Sequence, residues 1–250
     1  MIHRYAAGTL GVLILMILLM VTKGLPKVRQ SILLPVILLI TVVFQALLGM
    51  WTVTLLLSPI IVTAHLMGGM TTLSLLWWLF LNQKANRNNQ SLLVSSSGLK
   101  FVSVLGLLLV IGQIFLGGWT SSNYAAVACG VDFPTCASQW WTKMDFSNGF
   151  ELGYKTGVNY EFGVLNSPAR MAVQVAHRIG ALIVFVCLIG LAFKFLNKHK
   201  KLSVILFSQV SLGIMNVVFA LPLAVAILHN LVAAFLLLTL LAINHKVFKA

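Results

Sequence analysis

Four histidines fall at matching places in two halves of this chain. His3 and His177 each precede an arginine, Arg4 and Arg178, at the head of a long apolar run. His65 and His229 lie six and seven residues after a proline, Pro59 and Pro222, that opens another such run. An imidazole in hydrocarbon is costly and marks function by default. Paired on two helices, imidazoles can approach one iron from opposite sides, as in bundle heme sites. The competing reading is a hydrogen bond between helices or a ring at the interface; four histidines at matching places favour two metal or heme sites. At 1.5 Å per helical residue, His65 and His229 lie about 10 Å deep in the same leaflet that His3 and His177 enter. Arg4 and Arg178 are placed to hold a carboxylate such as a heme propionate, with snorkelling to lipid phosphate as the alternative. His199 and His245 stand among lysines and read as solvated.

A second pattern, Gln-x-x-x-Gly, recurs at Gln45, Gln113 and Gln209. Its glycines allow close helix approach, and seating a flat macrocycle is the secondary reading. Cys129 and Cys136 flank Gly-Val-Asp-Phe-Pro-Thr. On an oxidising face a disulfide is expected, stabilising by about 2–3 kcal/mol in the chain-entropy model. Thiol exchange is the alternative. Cys187 reads as an apolar packer, and two cysteines without further ligands make a poor zinc site.

The elements that position these residues are membrane spans. Of 250 residues, 60% are hydrophobic and 8% charged, with a mean hydropathy of +1.00, far from a soluble domain. Seven apolar runs are long enough to cross a bilayer, at about 5–22, 32–57, 59–81, 100–120, 170–193, 201–220 and 222–244. The start lacks the pattern of a cleaved signal peptide. The net charge of +13 is a topology signal and not a nucleic-acid footprint. Lys23, Lys27, Arg29, Lys84, Arg87, Lys100, Lys194, Lys198, Lys200, Lys201, Lys246 and Lys249 fall in alternate connections and the C-terminal tail. All four acids (Asp132, Asp145, Glu151, Glu161) lie in loop 121–168. Basic connections mark the cytoplasmic face, so the C-terminus is expected inside and loop 121–168 outside. That loop, with Trp140, Trp141, Phe146, Phe150 and Tyr154, is too aromatic for a linker and is expected to fold over the outer mouth of the second bundle.

Gln45 and Gln209, Gly49 and Gly213, and His65 and His229 are each 164 residues apart, and Pro59 and Pro222 are 163 apart. This repeat predicts an all-α integral membrane protein of two pseudo-repeated transmembrane four-helix bundles, with seven spans in this chain. The first bundle (1–81) lacks its opening helix, 82–99 is a cytoplasmic linker, and 100–246 is the second bundle. About one helix and one loop are expected to precede Met1.

The segments Met1-Ile-His3-Arg4-Tyr-Ala-Ala-Gly8, Ala64-His65-Leu-Met-Gly68-Gly69 with Trp77-Trp78, Cys129 to Cys136, and Ala176-His177-Arg178 resemble the heme A synthase family. The resemblance runs over essentially the whole chain. It implies two pseudo-symmetric four-helix bundles with eight spans in an inner membrane. It also implies oxidation of the C8 methyl of heme O to a formyl group, giving heme A for terminal cytochrome oxidases. By position, His177 and His229 would ligate a resident heme b, and His3 and His65 would flank the substrate heme O. The family's essential glutamate would fall just before Met1, and its second-half counterpart is Gln174. Implied partners are membrane lipid, an electron carrier and the prenyltransferase that makes heme O. A diheme b-type electron-transfer protein would keep the same histidines and need no carboxylate. A repeat-built transporter is disfavoured because the spans hold no acids and no broken helices, and a prenyl-transferring enzyme because no Asp-x-x-x-Asp motif exists.

Overall fold

The structure, a computed structural model, describes residues 2–24, 31–87, 97–153, 155, 157–195 and 200–249. Lys27, Arg29, Lys198, His199, Tyr154 and residues 88–96 therefore lie outside the described residues. Eight helices are present among them: α1 (Ile2–Thr22), α2 (Leu33–Thr54), α3 (Pro59–Arg87), α4 (Ser97–Ser122), α5 (Phe146–Gly149), α6 (Ser167–Phe195), α7 (Lys200–Val218) and α8 (Leu223–Lys249). All but α5 are long and apolar enough to cross a membrane, and they coincide with the seven apolar runs. In hydrocarbon a helix is the form that satisfies every backbone group within the segment, so a run of this length has little choice.

Boundaries differ where polar sequence stays helical. α3 continues from Pro59 to Arg87, and α4 starts at Ser97, so both enter the expected linker 82–99. Pro59 is the first residue of α3, where its missing N–H costs nothing. The longer α3 changes the reading of His245, which is buried rather than solvated. Its Nε2 lies 2.9 Å from Asn82 Oδ1, and its ring meets Trp78 edge-on at 4.8 Å. Asn82 belongs to the turn of α3 that the hydropathy run left out.

Helix α4 packs on α6, α6 on α7, α7 on α8, and α8 back on α4, so these four close into a ring. α1 packs on α2 and α2 on α3 in an open row, and α3 rests against both α4 and α8. Between the halves the approach is close: a Cβ added at Gly118 would come 2.8 Å from Leu66. Thr63 and Ser122 share a hydrogen bond of 3.1 Å, and Trp77 Nε1 donates to the Leu238 carbonyl at 2.9 Å. Ser103 and Asn244 join α4 to α8 by two buried bonds of 3.1 and 3.0 Å. The main apolar core lies low in the ring, built from Leu99, Leu188, Leu191, Leu202, Leu206, Leu240 and Val247.

Three helices end alike, with a non-glycine residue in the left-handed region and an N–H reaching back five residues. Leu57 donates to Thr52 at 2.9 Å, Ala125 to Thr120 at 2.9 Å, and Leu221 to Asn216 at 2.7 Å. Leu56 and Leu57 match Ala220 and Leu221 in both spacing and positive φ. This backbone closure satisfies last-turn carbonyls and turns the chain at once into α3 and α8.

Candidate functional site

The four histidines occupy the portions of their helices nearest loop 121–168, and around His177 and His229 the packing is loose. On α6 no residue between Gln174 and Val184 is buried, and on α8 none precedes Leu236. His177 and His229 sit in these two stretches. They lie on α6 and α8, whose backbones are not neighbours and which face one another across the ring. In the first half His3 on α1 and His65 on α3 come together. Their ring centroids are 6.3 Å apart and their planes nearly perpendicular, at 87°. Two metal–nitrogen bonds of about 2 Å each, plus the half-widths of two imidazole rings, span a separation of that size.

The local setting of three of the rings is the same. A Cβ built on Gly49 would come 3.2 Å from His65 Cε1, one on Gly117 would come 3.3 Å from His177 Cε1, and one on Gly213 would come 3.2 Å from His229 Cε1. Each glycine belongs to a Gln-x-x-x-Gly pattern on the preceding long helix. One turn earlier the glutamines reach the same rings. Gln113 Nε2 lies 3.0 Å from His177 Nδ1 and donates to the His177 carbonyl at 2.9 Å. Gln209 Nε2 lies 3.2 Å from His229 Nε2. The glycines do allow close approach, but the group that approaches is an imidazole. Sequence reasoning found the pattern and missed this pairing; the shared 164-residue spacing of glutamine, glycine and histidine was the available signal.

Two observations test whether a heme fits. His65 Nδ1 and His229 Nδ1 are buried without a hydrogen-bond partner, as suits rings with a further ligand to meet. The glycines form a cradle that any side chain would fill. No group of three or more histidine, cysteine or acidic residues able to hold a bare metal ion exists among the described residues. Two-histidine sets therefore suit an iron whose other ligands come from a macrocycle. The residues fit.

Arg178 turns outward to the loop, where Nη1 donates to the Thr135 carbonyl at 2.8 Å and reaches that of Pro134 at 3.5 Å. Its Nε and Nη2 are buried and have no partner, so the guanidinium keeps donors for a carboxylate. Arg4 is exposed. Cys129 and Cys136 form a disulfide, and both are buried. Gln174 secures this loop: its Nε2 donates to the Ala126 carbonyl at 2.7 Å, and its Oε1 accepts from the Cys129 N–H at 2.6 Å. Trp119 Nε1 donates to the Gly149 carbonyl at 2.8 Å. The loop also extends past the α4–α6–α7–α8 ring, because Tyr160 N–H donates to Leu56 O at 3.0 Å in the α2–α3 turn. It thus spans one end of both halves, and a cavity of about 460 Å³ lies beneath it, lined by Pro59, Trp119, Asn123, Glu151 and Tyr160 among others.

A family model described as COX15-CtaA, cytochrome oxidase assembly protein, matches residues 1–241. A heme A synthase of Shewanella oneidensis is 44% identical over 253 residues, covering 98% of this chain and 74% of that protein. A heme A synthase of Halalkalibacterium halodurans is 23% identical over 251 residues, covering 95% of this chain and 76% of its own length.

Proposed function

This chain belongs to the COX15-CtaA family of cytochrome oxidase assembly proteins, and on that premise we propose that it oxidises the C8 methyl of heme O to the formyl group of heme A. The observation that carries the site assignment is the His3–His65 pair, two imidazoles from separate helices set 6.3 Å apart. These two flank the substrate heme O. His177 and His229 would hold a resident heme b, which when bound would supply one-electron transfer. Arg178, with two partnerless nitrogens, holds a propionate, and Arg4 serves the same role in the first half. Support for a two-bundle repeat comes from the equal spacings, the matched helix ends at Leu57 and Leu221, and the recurrence of glycine against imidazole.

The protein's own part is binding, orientation and exclusion of water. The apolar walls of the spans hold a flat, greasy substrate at the depth of His65, and the outer loop covers the ends of both halves. Lys100, Lys201 and Lys246, at the ends of their spans away from this loop, support a cytoplasmic C-terminus and an outer loop 121–168. The protein is a multi-pass membrane protein, and an inner membrane housing both the prenyltransferase that supplies heme O and an electron carrier is the setting this chemistry requires.

The test is to express the chain in membranes that contain heme O but make no heme A, then extract and separate the hemes. Appearance of heme A supports the proposal. Unchanged heme O beside a reducible b-type spectrum would make the protein a diheme electron carrier instead. His65→Ala is expected to abolish conversion while the heme b spectrum remains, and His229→Ala to remove that spectrum.

A further inference from the structure

We propose that Gln209 is a positioning residue that fixes the ring plane and tunes the basicity of His229, one of the two imidazoles assigned to the resident heme. This inference rests on the heme reading above and adds a function for a residue that reading does not use. A neutral imidazole has one donor and one acceptor nitrogen. When iron takes one nitrogen, the other carries a proton and needs an acceptor, and that outer partner sets ring orientation and ligand strength. Each glutamine here engages one nitrogen of its histidine, at 3.0 Å for Gln113 and 3.2 Å for Gln209. Their Oε1 atoms are buried and lack any partner. A carboxamide presents donor and acceptor ends of nearly the same shape. A half-turn therefore brings Oε1 of Gln209 to the ring and makes it the acceptor of the imidazole N–H.

The spacing explains why the motif is Gln-x-x-x-Gly. One helical turn separates the amide that grips a nitrogen from the glycine against the ring's Cε1 edge, so a single helix face locks the imidazole at two points. The partner helix accommodates the amide as well. A Cβ at Gly180, one turn beyond His177, would collide with the Gln113 amide, and one at Gly68, one turn beyond His65, would collide with that of Gln45. Gln113 cannot make that half-turn without losing the bond its Nε2 donates to the His177 carbonyl, so it does not act as an acceptor. Gln209 has no such second tie, so it is the one to test.

The experiment uses the full chain, purified in detergent with heme b bound, as wild type, Gln209→Met and Gln209→Glu. Methionine keeps the volume and removes the hydrogen bond, whereas glutamate strengthens the acceptor. Heme retention in Gln209→Met should weaken by about 10- to 100-fold. Its midpoint potential should rise, because a less basic ligand favours ferric iron less; a tenfold change in the ferric-to-ferrous affinity ratio is about 59 mV. Gln209→Glu should lower the potential, and the low-spin ferric g-values should move in opposite senses in the two variants. A role in packing alone would not reverse sign. Heme-loaded Gln209→Met with wild-type potential and g-values, or shifts of the same sign in both variants, would overturn the proposal. If Gln209→Met holds no heme, the glutamate variant decides: a lowered potential with moved g-values supports it, and unchanged g-values overturn it. Wild-type protein without a Soret band, or His229→Ala retaining the full b-type spectrum, would instead overturn the heme reading itself.

Discussion

Replacing Gln174 by leucine should loosen loop 121–168 and expose its disulfide. The Gln174 side chain is 2% exposed and Cys129 1%, and the amide makes two short bonds, one to the Cys129 N–H and one to the Ala126 carbonyl. Leucine keeps the approximate volume and leaves both backbone groups without a partner. A buried group left unsatisfied costs about 1–3 kcal/mol. Cys129 N–H is fully enclosed and should incur most of that, while Ala126 is half-buried and should incur less. The sum is about 2–4 kcal/mol against the closed loop. At 1.4 kcal/mol per factor of ten, the open fraction rises roughly 30- to 700-fold. When opening is fast relative to reaction, attack follows that fraction. In membranes carrying Cys187→Ala, mild reductant followed by a mass-adding maleimide should therefore label Cys129 and Cys136 faster in the variant by that ratio. Gln174→Glu should fall between the two, because a carboxylate still accepts from Cys129 but has nothing to donate to Ala126. Equal labelling rates in wild type and Gln174→Leu would refute the reasoning, since the amide would then not be holding the loop shut.

Gly117→Ala and Gly213→Ala should each lower heme b per polypeptide, because the new Cβ meets an imidazole carbon at 3.3 or 3.2 Å; Gly112→Ala, with nothing within 4 Å, should bind heme like wild type and gain about 0.5–1 kcal/mol of helix stability. A pyridine hemochrome assay on purified protein distinguishes these outcomes. Trp119→Phe removes a buried donor from the Gly149 carbonyl and should cost about 1–3 kcal/mol, read as an earlier thermal transition of the detergent-solubilised protein. Asp145 caps α5 through the Asn148 N–H, and these hydrogen bonds hold its carboxyl below the ordinary value of 3.8. A depressed carboxyl stabilises the fold above its unfolded pKa and loses that contribution as pH falls through the folded value. Wild type and Asp145→Ala should thus differ in loop protection near neutral pH and converge only as the pH falls through the depressed folded value, as followed by limited proteolysis over a pH series.

Length and hydropathy made the seven spans legible, because hydrocarbon allows a twenty-residue apolar run one structure. Their ends were less so. Hydropathy stops at the membrane surface, whereas the backbone of α3 goes on bonding through Asn82 to Arg87. That is why His245, surrounded by lysines in the sequence, reads as solvated there and yet is buried in the fold. The histidines were readable as pairs from their spacing. Their glutamine partners were visible only as a packing motif, since nothing local in Gln113 or Gln209 shows which helix faces them. Gln174 is a similar case. Resemblance marked its position as the counterpart of a glutamate, and only the fold reveals the two loop backbone groups it serves. An amide can satisfy both an N–H and a carbonyl, and a carboxylate cannot, which gives a physical reason for glutamine at this place.

The distribution of packing ties these pieces together. In α6 the buried positions cluster from Ala169 to Gln174 and again from Val184 to Ala192, and in α8 they begin at Leu236. The ring is therefore tight below, at the Leu188–Leu206–Leu240 core, and capped above by the loop that Gln174 and Trp119 pin. Between these two seals stand His177 and His229, each with its Cε1 edge against a glycine of the neighbouring helix. Four parallel-packed helices would ordinarily close at 8–10 Å between axes, leaving no room for a planar ligand between imidazoles. Holding them apart at one level requires that the levels above and below carry the association energy. Large aliphatic side chains do so in the lower core and hydrogen-bonded loop contacts do so at the outer end. Gly117 and Gly213 then let the Cε1 edges of the two imidazole rings rest against α4 and α7. On this account a substitution in the lower core, such as Leu240→Ala, should destabilise the bundle by about 2–5 kcal/mol yet leave the spectrum of whatever heme remains bound unchanged. A Gly213→Ala variant should do the reverse, moving the spectrum at nearly constant stability. Measuring thermal unfolding and the ferric low-spin spectrum on the same two samples separates the roles. A shifted spectrum in Leu240→Ala would show that the two levels are mechanically coupled and that the division of labour does not hold.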